Sequence, residues 1–510
     1  MENVYDLVNE FYRNDEGWDY VLAHSDVEAF LRRLAWQGVR DRELKKHWTH
    51  IMMLCIYMEN ADILLDEIVA DTLVDAVSWC ARYVVDFTIS YRSVKAFLDT
   101  IGQFFVFMKE EGRLESSVAP YLAEQMLLND DGTVAIVDSD GSFLPGEKDR
   151  EEKTAPPPMG RIFLNADKAL EGLMEEIHKF FQNSRFNLDL DRAVSFYNDA
   201  TGRIDPDGPG ADEYWRGFWD YFLFDYHMRI EDDTPLECFR TSTVTAYPNL
   251  LQEMCGAHMS LFTIENEVDV DRYYCQDFMD YNSYLLVFSL APDEDPKKLV
   301  FMENLFDNRS LGMNFLQRYE LQPMARRRLK EVLEACLEWY RVQEPDAVWR
   351  DFMTRHPLVS RKVIRKIEAN PAAVVFPYEL TGRDRLYRPP VLEETLSPVE
   401  KLLQGMLSVT RFSTFDFTLM RRMWADFKRA GGSEQHYGPA FWASAVIENF
   451  LEINEKRAAR FQPFFLEAMG LNHCNLTSAY MDIRNCLGIR PSDPRYLNER
   501  GFLMLFSRYV

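Results

Sequence analysis

Residues 260–278, SLFTIENEVDVDRYYCQDF, are where the helical character of this chain breaks. The same character returns in YLLVFSL (284–290) and KLVFMENL (298–305). These are β-branched and aromatic runs separated by Asp, Asn and Pro, and they predict three or four strands of a small antiparallel unit within 258–321. Helical periodicity surrounds them on both sides. The expected fold class is therefore mainly α, multidomain, with a small antiparallel β module near the middle.

Toward the N-terminus, 159–257 reads as a helical domain. Trp215, Phe218, Trp219 and Phe222 form an aromatic stripe on one helix, a spacing expected of core. Thr234-Pro235-Leu236-Glu237 opens a helix with Thr as cap, Pro first and Glu third. Residues 1–129 read as a bundle of helices. Val27, Phe30, Leu31 and Leu34 recur at helical spacing, as do Ile51, Leu54, Cys55 and Met58, and Val94, Leu98, Ile101 and Phe105. Between these parts, DDGTVAIVDSDGSF (130–143) predicts a hairpin with Asp140-Gly141 at its turn. GEKDREEKTAPPP (146–158) reads as an exposed linker.

Toward the C-terminus, 322–392 is a helical segment closed by a second linker, TGRDRLYRPPVL (381–392). Ser397-Pro398-Val399-Glu400 is a capping box that starts the last domain, 393–510. Near its end, FQPFFLEAMGLNHCNLTSAYMDIRNCLGIRPSDPRY (461–496) outlines a helix-turn-helix. Gly470 ends the first helix in the left-handed conformation, and Asn472 caps the second. Leu471, Leu476, Ala479, Ile483 and Leu487 are spaced to bury one face against the first helix.

The 510 residues carry a net charge of −25 and are 47% hydrophobic, so the chain has ample material for cores. The charge is uneven. Residues 321–510 hold 28 Lys+Arg against 22 Asp+Glu, whereas the first 320 hold 29 against 60. An anionic partner would therefore be met by the C-terminal half. Eight cysteines without a CxxC pair, and a polar helical start, lead to the expectation of reduced thiols in a cytoplasmic chain. No apolar run reaches membrane-spanning length.

Two regions resemble known families. In FLRRLAWQGV, Phe30, Leu31, Leu34 and Gly38, with Phe104, Phe107 and Gly112 later, match the opening and closing helices of the SAM-like core-binding domain of tyrosine recombinases. That resemblance covers Ser25–Pro120 and implies a small helical domain. No Arg…HisxxArg…Tyr set follows, so the recombinase activity is not carried over. PAFWASAVIENFLEIN (439–454) resembles the central helix of cyclin boxes, and the helix-turn-helix after it is similar to the one that ends such boxes. In that family the motif touches DNA or builds the fold. Trp215–Tyr226 also resembles a segment of large bacterial multidomain proteins and implies no particular activity.

The chemistry-bearing residues are few. His47 and His50 lie at i, i+3 with Glu43 one turn earlier, a spacing that can hold a metal, though polar residues on a helix surface are the simpler expectation. Asp225, His227, Glu231, Asp232 and Asp233 form the densest titratable cluster. His473 and Cys474 are adjacent, so their side chains diverge by about 100° on a helix. No P-loop, HExxH or GxSxG is present, and no metal or cofactor is expected.

The first function expected is a non-enzymatic regulatory or interaction protein, associated with nucleic acid or a partner protein through its C-terminal half. Arg326, Arg327, Arg328, Arg361, Lys362, Arg365 and Lys366 would then meet phosphates. Asn475, Thr477 and Arg484 would lie nearest any bases. The outer face of 474–487 is otherwise neutral, which favours a structural helix there. The alternatives are a protein-only scaffold or homo-oligomer, and an enzyme built on 225–233.

Overall fold

The computed structural model describes residues 3–13, 21–85, 87–129, 132–135, 166–203, 208, 210–269, 272–288, 290, 294–306, 316–408, 410–455, 462–471 and 476–506. The chain forms two units, Met1–Leu170 and Glu171–Val510.

The described residues of the first unit include six α-helices: α1 (Val4–Arg13), α2 (His24–Trp36), α3 (Asp41–Ala61), α4 (Ala70–Tyr83), α5 (Tyr91–Glu110) and α6 (Ala119–Leu127). All twelve positions picked out by helical spacing in α2, α3 and α5 are buried. They share one core with Trp48, Trp79 and Phe104, and each such side chain contributes roughly 1.5–3 kcal/mol on leaving water. Ser90 starts α5 by a reciprocal cap, accepting from the Ser93 amide at 3.1 Å while its own amide donates to Ser93 Oγ at 3.0 Å.

His47 and His50 are half-buried on α3. Their Nδ1 atoms lie 3.1 and 2.9 Å from the one Oγ1 of Thr100 on α5. That hydroxyl spends its proton on the Ala96 carbonyl. Burial pushes His50 down to about 4, so it stays neutral. Beyond α6, Leu128 and Val134 form a small antiparallel bridge. The expected turn at Asp140-Gly141 and the linker at 146–158 lie outside the described residues.

Helix α7 (Ala166–Phe181) runs across the division at Leu170 and Glu171, and the second unit continues with α8 (Asn187–Thr201), α9 (Ala211–Phe224), α10 (Pro235–Ser242) and α11 (Pro248–Cys255). A five-stranded antiparallel sheet follows: β1 (His258–Asp269), β2 (Arg272–Asp277), β3 (Ser283–Val287), β4 (Leu299–Leu305) and β5 (Gln317–Glu320), in the order β3-β2-β1-β4-β5. Phe262 pairs with Phe301 across β1 and β4, their rings stacked at 5.5 Å over the sheet's own core. Strand β4 is buried along its whole length, because its other face turns Asn304 onto the carboxylates of α9.

The helices resume with α12 (Pro323–Tyr340), α13 (Trp349–Arg355), α14 (Pro357–Ala369), α15 (Gly382–Arg385), α16 (Pro398–Gly405), α17 (Thr414–Arg429), α18 (Pro439–Asn454), α19 (Gln462–Ala468), α20 (Thr477–Leu487) and α21 (Glu499–Met504). Helix α14 packs on α8 and α12, and α21 packs on α8, α14 and α18. The segments read as 159–257, 322–392 and 393–510 thus share their contacts inside one unit. Thr234 and Ser397 cap α10 and α16 as expected. The aromatic stripe of α9 divides: Phe218 and Phe222 are buried, while Trp219 is exposed on the rim of a groove. Among the described residues no helix is long and apolar enough to cross a membrane.

Candidate nucleic-acid interface

Residues 381–388 hold three arginines in six positions and do not behave as a free linker. The Thr381 amide donates to Asp384 Oδ2 at 2.7 Å and Thr381 Oγ1 accepts from the Asp384 amide, a capping box that fixes the single turn α15. Burial raises the Asp384 carboxyl, but the Thr381 hydrogen bonds and the Arg490 charge outweigh it and hold it below its ordinary value. Its charge therefore persists. Tyr387, two residues past the turn, donates its hydroxyl to Asp426 Oδ2 on α17 at 2.6 Å. The arginine-bearing segment is thereby tied to the C-terminal end of α17.

Helix α20 ends beside it. Gly488 takes a left-handed φ of 57° and its α-carbon faces Arg383, whose Nη1 would lie 3.5 Å from an added Cβ. The chain then turns through Arg490 and Asp493, and Asp493 caps the next short turn through the Arg495 amide at 3.2 Å.

These three pieces enclose an open cleft of about 980 Å³ lined by Arg383, Arg388, Arg429, Arg490 and Arg495. Three of the five are held by carboxylates. Arg490 pairs with Asp384 and lies 4.2 Å over the Tyr378 ring. Arg495 grips Asp493 through Nε and Nη2 at 2.9 and 2.8 Å. Arg429 donates to Asp426 Oδ1 at 2.6 Å and to the Arg388 carbonyl. Among the described residues Arg388 bonds to backbone carbonyls alone, at 2.8 and 3.3 Å, and it stays exposed. Among the described residues no carboxylate pairs with Arg383 or Arg388. The cleft thus carries two uncompensated guanidiniums in a chain of net charge −25.

Of the ten residues expected to meet nucleic acid, the nine described ones do not converge. Arg326 spends Nη2 on the Leu299 carbonyl and Arg328 on the Val374 carbonyl. Arg327 is 86% exposed beside Glu331. Arg361 is 2% exposed, its guanidinium 5.1 Å over the Tyr197 ring, and Lys362 is 6% exposed with Nζ donating to the Leu503 carbonyl at 2.7 Å. Neither Arg361 nor Lys362 stands where a phosphate backbone can lie. Arg365 is exposed, and Lys366 donates to the Phe506 carbonyl. Arg484 is held by Glu452 and Tyr480 at 2.8 and 2.7 Å. Thr477 is exposed at the start of α20, and Asn475 lies outside the described residues.

The helix-turn-helix outline is corrected in one respect. Gly470 is left-handed and Leu471, Leu476, Ala479, Ile483 and Leu487 are buried, as expected. Their main support is α18, not α19. Helix α20 packs chiefly on α18 and is tied there by Asn449 Nδ2, which donates to the Tyr480 carbonyl at 3.1 Å. Asn472, His473 and Cys474 lie outside the described residues.

The cluster at 225–233 does not assemble either. Asp225 is buried against Asn304, while His227 bonds to the Asp232 and Thr354 carbonyls. Glu231 and Asp233 are exposed. The cavity that Asp225 and His227 share holds about 20 Å³, room for a single water. The five arginines of the cleft went unread because they come from 383, 388, 429, 490 and 495; the arginine density of 381–388 was the one local signal. Comparison with protein-family models, with curated proteins and with solved structures finds no match to this chain.

Proposed function

We propose that this protein is a non-enzymatic interaction protein that binds nucleic acid through the arginine cleft of its 171–510 unit. The observation that carries the reading is the pair Arg383 and Arg388, exposed on that cleft without carboxylate partners among the described residues. Guanidiniums match phosphate oxygens in bidentate geometry, and Leu386, 77% exposed between them, gives an apolar contact for a base or sugar. The acidic remainder of the chain opposes unspecific adhesion to polyanions. The test is fluorescence anisotropy of the full chain with labelled 20-mer single-stranded DNA, RNA and duplex DNA from 50 to 300 mM NaCl. Micromolar binding is expected, with a log–log salt slope of about −2 to −4. No binding to any of the three at 50 mM NaCl rejects the reading.

A second reading, contact with a partner protein, draws on the 1–170 unit. There Trp36 is 90% exposed, and Val106 and Tyr121 are exposed along a groove of about 440 Å³. Light scattering of wild type and Trp36→Glu tests it through the homo-oligomer: a mass that falls on substitution supports this reading, and a monomer in both cases leaves no self-association for that surface to explain.

A further inference from the structure

A cavity of about 400 Å³, within the range of small-molecule sites, lies between α8, α18 and the segments leading into α17 and α21. None of the cleft's five guanidiniums lines it. Its walls are aromatic: Phe196, Phe412, Phe450 and Phe465, with Leu451 beside them. The Phe412 and Phe450 rings meet edge to face at 6.1 Å. The Arg192 guanidinium stands 4.6 Å from the Phe196 centroid and helps to fix that ring.

The charged groups of the lining satisfy one another. Arg192 donates to Tyr226 Oη and to the His227 carbonyl at 3.3 and 3.2 Å, and meets Glu499 at 3.4 Å. Arg500 Nε stands 3.2 Å from Glu455 and 3.7 Å from Asp199. Both oxygens of Asp416 are taken: Oδ1 accepts from Asn498 Nδ2 at 2.7 Å and Oδ2 from the Ser413 amide at 2.8 Å. Arg411 and Asp191, 4.0 Å apart, are 64% and 65% exposed, so that pair belongs to the rim and is met by water. A ligand charge of either sign inside the cavity would have to break one of these pairings or stay unpaired. Both are strongly unfavourable in a buried site.

An uncharged group meets no such penalty, and one polar group in the wall is open to it. The Ser195 hydroxyl, on α8 in the same lining, has no hydrogen-bond partner among the described residues. We propose that this cavity binds an uncharged aromatic molecule, with its rings among the four phenylalanines and a hydroxyl or carbonyl on Ser195. Flat rings pack edge to face or offset against such walls, and a rigid body loses little conformational freedom on entering.

The experiment is calorimetry and thermal shift on the full chain with three probes that share one ring system: indole-3-ethanol, indole-3-ethylamine and indole-3-acetate. At about pH 7 they are neutral, cationic and anionic in that order. The alcohol is expected to raise Tm and to bind with Kd of about 1 mM or tighter. Both charged probes should bind at least about tenfold more weakly. Ser195→Ala, which keeps the fold and removes the hydroxyl, should weaken the alcohol by about threefold or more. Ser195→Trp fills the cavity from α8 without altering its charges and should abolish binding. Either charged probe binding as tightly as the alcohol overturns the proposal. So does alcohol binding unchanged in either variant, or no alcohol binding at about 5 mM.

Discussion

Tyr387 Oη donates to Asp426 Oδ2 at 2.6 Å, and Tyr496 Oη donates to the same oxygen at 2.8 Å. Arg429 completes the carboxylate through Oδ1. Asp426 is 4% exposed, so three groups from separate stretches of sequence meet on one buried charge. Burial and the adjacent Asp426 push the Tyr387 phenol well above its ordinary value, so it remains a donor at every physiological pH. Removing the acceptor strands two buried hydroxyls. Asp426→Ala is expected to destabilise the fold by about 3 kcal/mol. Tyr387→Phe removes one donor and should cost about 1 kcal/mol. Urea unfolding with an unchanged m-value checks both; equal losses for the two would refute the shared-acceptor arrangement.

Charge reversal at the unpaired arginines should separate binding from stability. Arg383→Glu with Arg388→Glu removes about two phosphate contacts. The salt slope is then expected to shallow by about 2 and affinity at 100 mM NaCl to fall more than tenfold. Both side chains are exposed, so the urea midpoint should stay within about 0.5 kcal/mol of wild type. An unchanged slope would place the contact elsewhere.

Neighbouring basic residues of α14 should respond in opposite ways. Lys362 is buried on the Leu503 carbonyl, whereas Arg365, three residues on, is exposed. Lys362→Glu puts an unpaired carboxylate against that carbonyl and is expected to lower stability by more than about 3 kcal/mol. Arg365→Glu should change it by less than about 0.5 kcal/mol. Circular-dichroism melts of the two variants decide this. Similar melting temperatures would mean that Lys362 is not held inside the fold.

That contrast also shows where local sequence stops being informative. Val27, Phe30, Leu31 and Leu34 announced their helix because apolar spacing and burial share the period of 3.6. Thr234 and Ser397 announced theirs because a cap is settled within four residues. The strands at 258–305 were legible from β-branched and aromatic runs, but β5 (Gln317–Glu320) is too short and polar to stand out. Arg361 and Lys362 read as phosphate contacts because their partners, Tyr197 and Leu503, lie more than 140 residues away. The cleft has the same origin: paired prolines after Arg388 spoke for a linker, and distant contacts, Tyr387 on Asp426, Arg490 on Asp384 and Arg429 on the Arg388 carbonyl, make the segment part of a surface.

The buried acids of α9 give the chain a pH dependence of defined sign. Asn304 Nδ2 donates to Asp220 Oδ2 at 3.2 Å and to Asp225 Oδ2 at 3.1 Å. Burial, reinforced by the Asp220 charge, pushes Asp225 up to about 8 against the Asn304 hydrogen bond and the nearby Arg361. In the unfolded chain the same carboxyl titrates near its ordinary 3.8. Between these values the folded state binds the extra proton. Its contribution to stability is complete below about pH 4 and is lost as pH rises through about 8. Asp225→Asn keeps the shape of the protonated acid and removes the titration. Wild type is expected to lose roughly 2–4 kcal/mol more than Asp225→Asn between pH 5 and pH 8. The variant should therefore be the more stable protein at pH 8 and close to wild type at pH 5. Urea midpoints at the two pH values measure this directly. Parallel losses in both proteins would show that Asp225 ionises in the fold at its ordinary value, paired with Arg361 instead of protonated beside Asp220.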